Sequence, residues 1–89
     1  MEKREQKVGD VVVFHDPVGQ AHNALVTAWW SETCCNIVIV SGDTAKRDDY
    51  GRQIDRHTSL NHKSETVAHG YYWRWPDEEP NPPRAPMAV

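Results

Sequence analysis

Eighty-nine residues with a net charge of −3, a pI near 5.9 and 38% hydrophobic content allow one small domain, whose stability must rest on a few large side chains or on oligomerisation. No more than two Lys or Arg stand together, which disfavours general DNA or RNA binding. No apolar run reaches the roughly 18 residues needed to span a bilayer, and the charged start MEKREQKVGD has no signal-peptide core, so the expected location is cytoplasmic.

In chain order, 1–7 reads as a charged arm and 8–76 as the folded domain. VGDVVVFHD (8–16) is β-branched and aromatic, hence a strand, and Asp16-Pro17-Val18-Gly19 has turn chemistry. NALVTAWW (23–30) is a second strand; alternation puts Ala24, Val26, Ala28 and Trp30 on one face and Leu25, Thr27 and Trp29 on the other. After a short polar connection at 31–33, CCNIVIVS (34–41) is the strongest strand. Cys35, Ile37 and Ile39 share one of its faces, and its apolar character places it centrally. Residues 43–56 carry four acids and four bases and read as a long loop or an irregular hairpin. IDRHTSLNH (54–62) is a fourth strand, and 63–70 a polar loop.

The chain keeps four of its eight aromatic rings for 71–75, YYWRW. Alternation sets Tyr71, Trp73 and Trp75 on one face to close the core, with Tyr72 and Arg74 on the other. Five of the six prolines lie between 76 and 86, so 77–89 is expected to be an acidic, proline-rich, disordered tail unless a partner orders it. Four to five short antiparallel strands without an amphipathic helix predict an all-β fold, a small SH3-like barrel.

Chemistry-bearing patterns are sparse. Cys34 and Cys35 are adjacent, too close for an unstrained disulfide, and inside an apolar strand their thiols should be inert. The five histidines and two cysteines match no zinc spacing, so neither metal nor cofactor is expected. No nucleophile, base and orienting group form a recognisable set, which predicts a protein that is not an enzyme. The aromatic excess and Arg74 point instead to binding: Tyr72, Arg74, Trp29, Trp30 and His57 are the candidate ligand-binding residues, since rings and a guanidinium suit planar or phosphorylated ligands and protein partners.

An ordered series of short motifs resembles a family of small tailed-phage and prophage proteins. The series comprises Gly9-Asp10-Val11-Val12, Ala24-Leu25-Val26-Thr27-Ala28-Trp29, Cys35-Asn36-Ile37-Val38-Ile39, Thr58-Ser59-Leu60 and Tyr72-Trp73-Arg74-Trp75-Pro76. It covers roughly residues 9 to 76, with Arg74 where the family usually has His and a 43–56 loop unlike the usual Gly-rich one. The resemblance implies a phage origin and carries no activity with it. By analogy with other small phage β-barrels, the expectation is a non-enzymatic binding module in the host cytoplasm, a homo-oligomer that sequesters a nucleotide-like signal of host defence. The competing expectation is a virion-associated or assembly protein that contacts a host or phage partner.

Overall fold

The computed structural model describes residues 4–65 and 71–81. It is all-β: a curled five-stranded antiparallel sheet forms a half-barrel, compatible with a small all-β barrel. Strands β1 (Val11–His15), β2 (Ala21–Trp29), β3 (Cys34–Val40), a two-residue pair β4 (Arg47–Asp48) and β5 (Gly51–Arg52), β6 (Ile54–Asn61) and β7 (Tyr72–Arg74) follow in order. The main sheet runs β6-β3-β2-β1-β7. The last strand thus returns to the first, and a single parallel bridge between His62 and Trp73 draws the two edges together. The irregular hairpin foreseen at 43–56 is the β4–β5 pair. A single 3-10 turn, Lys63–Glu65, begins the connection to β7. No helix among the described residues is long and apolar enough to cross a membrane.

Alternation explains the core. Val12 and Phe14 of β1, Ala24 and Val26 of β2, Cys35, Ile37 and Ile39 of β3, Leu60 of β6 and Trp73 of β7 all point inward and are buried. Trp73 is wholly buried, and its indole nitrogen donates to the Thr33 carbonyl at 3.0 Å, so the largest core ring leaves no orphan donor. Cys35 is also fully buried. Burial, with the neighbouring Cys34 second, pushes its thiol up to about 12, so it is un-ionised and inert near neutrality.

Two bulges alter the simple period-two reading. On β2 the register runs Val26 to Ile37 and then Ala28 to Asn36, which leaves Thr27 as an extra residue. The extra residue reverses the alternation. Trp29, not Ala28 or Trp30, therefore turns inward against Trp73 (centroids 5.2 Å) and Trp75 (5.7 Å), while Trp30 stays 63% exposed. On β6, Leu60 faces Cys35 and His57 faces Ile37, so Thr58 and Ser59 together oppose Asn36. Ser59 takes φ +54, left-handed backbone that is uncommon for a residue with a Cβ. The Asn36 amide oxygen sustains it by accepting the Ser59 N–H at 2.8 Å and the Trp30 indole N–H at 2.9 Å.

The start of the expected tail is not loose. Residues 76–81 form no strand or helix, yet they fold back over the outer face of β7. Arg74 donates to the Glu78 carbonyl at 2.8 Å, Lys63 to the Glu79 carbonyl at 2.6 Å, and the Asn81 amide N–H to the Tyr72 hydroxyl at 2.9 Å. Backbone carbonyls supply partners that a reading of side-chain composition does not weigh. Residues 82–89 lie outside the described part.

Candidate functional site at the polar mouth

At the end of the half-barrel where β1 turns into β2, an open, shallow cleft of about 460 Å³ is lined by Gln20 and the first β2 residues Ala21 and His22, by Val40 at the end of β3 with Ser41 and Gly42 after it, and by Arg52 from β5. The turn after β1 builds one wall. Asp16 lies at its base and its carboxylate accepts the Val18 N–H at 3.1 Å and the Gln20 N–H at 2.8 Å, an Asx-type closure of the DPVG turn. Gly19 occupies positive φ (+91), which glycine adopts without strain. The other Asp16 oxygen lies 2.8 Å from His22 Nε2, with both side chains only 18% exposed. Burial alone would raise the Asp16 carboxyl, but the hydrogen bonds from His22 and from the Gln20 and Val18 amides overcome it and hold it below the usual range.

His22 is placed by register. It faces Phe14 across the β1–β2 ladder, its ring lies 5.9 Å from Phe14, and a Cβ added to Gly42 would approach it to 3.7 Å. The opposite wall holds its own polar atoms. Ser41 is fully buried; its hydroxyl oxygen accepts the Asp43 N–H at 3.1 Å and its proton goes to Asp55, whose carboxyl is drawn down first by that bond and further by Lys46. Arg52 donates one guanidinium N–H to the Ser41 carbonyl at 3.0 Å. The cleft therefore offers an imidazole oriented by a carboxylate, a primary amide and a guanidinium at the rim. The one hydroxyl on its wall is already committed on both sides, so this arrangement offers hydrogen-bonding groups and no activated nucleophile.

The five residues singled out in the sequence do not converge. Tyr72 and Arg74 do face away from Trp73, but Tyr72 is only 6% exposed: its ring stacks on His15 at 4.6 Å and 78–81 covers it, so the expectation of an exposed stacking ring is corrected. Arg74 donates Nε to His15 Nε2 at 3.0 Å as well as to Glu78, which occupies the guanidinium within the fold. Because His15 Nε2 accepts, its proton sits on Nδ1. Burial first, then the adjacent Arg74 charge, lowers its pKa below 6.5. Trp29 belongs to the tryptophan cluster at the far end, where its indole N–H meets the Lys7 carbonyl. Trp30 is exposed but tied to Asn36. His57 is tilted on Phe14 at 4.6 Å and does not line the cleft.

Asp16, Gln20, His22 and Arg52 were missed because each reads alone as a polar residue in or beside a loop, and Ser41 because it reads as the polar end of a strand. The available signal was the DPVG turn: a hairpin there sets 16 beside 20–22. Among the described residues, no group of three or more His, Cys, Asp or Glu is arranged to hold a metal ion. Comparison of the chain with protein-family models, curated proteins and solved structures finds no match in any of the three.

Proposed function

We propose that this chain is a non-enzymatic, phage-encoded binding module of the host cytoplasm that takes a small anionic, nucleotide-like ligand in its polar mouth. In the sharper form of this reading it sequesters a signalling nucleotide of host defence. The observation that carries the reading is the pairing of Arg52 and the Asp16-oriented His22 across one cleft. A guanidinium has five N–H donors, and one is engaged with Ser41. The nearby acids are each answered by another group, Asp16 by His22 and Asp55 by Ser41 and Lys46. β-Barrel mouths with a few convergent polar groups are common ligand sites.

Isothermal titration of the purified chain against cyclic dinucleotides and ADP-ribose tests this. Saturable binding to one of them, weakened about tenfold or more by Arg52→Ala, is the expected result. Absence of heat with every compound at high micromolar protein sinks the nucleotide reading.

A further inference from the structure

The outer face of the sheet is apolar where the core cannot account for it. Val11 of β1 pairs with Leu25 of β2, Leu25 with Val38 of β3, and Val38 with Arg56 of β6, so a single row crosses four strands. Alternation sends this whole row outward, since the intervening Val12, Ala24, Ile37 and Ile39 are the buried ones. One pleat along, Val13 is half-buried, and the paired residues Val40 and Ile54 are 59% and 61% exposed. Val11 and Leu25 are 53% and 48% exposed. Isolated surface aliphatics are ordinary, but a contiguous sheet face of them marks an interaction surface.

We propose that this face binds a second copy of the same chain. A two-fold symmetric contact requires a patch that complements itself. An aliphatic row does so, and its borders are of opposite charge. Arg56 ends the row on the β6 side. On the β7 side, 78–81 forms a ridge over the outer face and carries the exposed Glu79. A two-fold axis lying in the face and running along the central strand β2 sets β2 of one copy over β2 of the other, β1 over β3 and β6 over β7. The same rotation brings each Arg56 to the other copy's Glu79 ridge. Four strands about 4.8 Å apart span roughly 19 Å from Val11 to the far side of Arg56. With its two borders, such a face is of the order of the smaller specific interfaces, roughly 600 Å² per partner. The contact is therefore a modest, concentration-dependent dimer, back to back, leaving both mouths open.

Sedimentation equilibrium of the wild-type chain over a range from low to high micromolar gives the first test, with a reversible dimer expected. Leu25→Glu should leave a monomer with unchanged tryptophan emission, and Ile54→Lys at the rim should weaken the dimer with less risk to the fold. Arg56→Glu should also weaken it, and Arg56→Glu combined with Glu79→Arg should restore it. A wild-type monomer throughout the range overturns the proposal. So does a dimer indifferent to both Leu25→Glu and Ile54→Lys, and failure of the charge exchange to restore association overturns the two-fold arrangement. Nucleotide binding at the mouth is measured separately on the Leu25→Glu chain, so the two readings fail independently.

Discussion

The two ends of the half-barrel are held by different physics. At one end Trp29, Trp73 and Trp75 pack edge-on and tilted against one another, His62 lies against Trp73, and the N-terminal arm crosses over them. Lys7 accepts the Trp29 indole N–H through its carbonyl, and Arg4 sits 4.8 Å above the Trp75 ring while both Asp77 oxygens accept from its guanidinium. At the other end no large ring fills the opening: Asp16, His22, Ser41, Arg52 and Asp55 hold one another by hydrogen bonds around a cleft. Aromatic area closes one end with only an indole N–H per ring to satisfy, whereas a polar end must satisfy each group in turn. The difference shows why a chain with so few hydrophobic residues gathers its rings late. They seal one end, and the other is left as an open cleft among polar groups.

The comparison breaks most visibly at Trp73. Trp73→Ala removes the ring that three neighbours share and one of the two N–H donors to the Thr33 carbonyl, the other being the His62 amide. The expected loss is about 3–5 kcal/mol, read as a fall in the urea midpoint at unchanged slope. A change under half a kcal/mol would mean that the aromatic end does not carry the fold.

Asp16→Asn tests the polar end. It weakens the partnership with His22 and with two turn amides, for an expected loss of about 1–3 kcal/mol at neutral pH. The sign of the pH dependence follows from the depressed Asp16 carboxyl. Its contribution is fully present above the unfolded pKa near 3.8 and is lost as pH falls through the lower folded value. The gap between wild type and Asp16→Asn in denaturation should therefore close in strong acid, and a gap independent of pH would assign the effect to packing. His15 adds a second acid-sensitive step. Its folded pKa is below 6.5, so the unfolded chain takes up the proton first and stability declines as pH drops from about 6.5.

The smallest effect belongs to the arm. Arg4→Ala removes the contact over Trp75, for which about 0.5–1 kcal/mol is expected from the ring alone. The exposed ion pair with Asp77 should fade with added salt. A loss comparable to that of Trp73→Ala would show the arm to be part of the core rather than a cover.

Strand positions were legible because they depend on local residue type: β-branched runs mark β1 and β3, and the boundaries agree within a few residues. The inward face of β3 followed from period two, and so did the sealing role of Trp73. The candidate site was far less legible. Tyr72 and Arg74 occupy the predicted face of β7, but their accessibility depends on 76–81 returning over them, a long-range event that backbone carbonyls drive. The grouping of Trp30 on one face with Ala24 and Val26 fails for a single cause, the extra residue at Thr27, which no local pattern announces.

By itself, then, the sequence determined an all-β chain, the residues able to form its core, the turn at Asp16-Pro17-Val18-Gly19 and the inert environment of Cys35, because each depends on neighbours within one strand or turn. Only the tertiary structure decided which tryptophan turns inward, that the first residues after Pro76 cover β7, and that Asp16, His22, Ser41 and Arg52 share one mouth. Those outcomes depend on register, bulges and chain return, which join residues far apart in sequence through contacts that no single segment encodes.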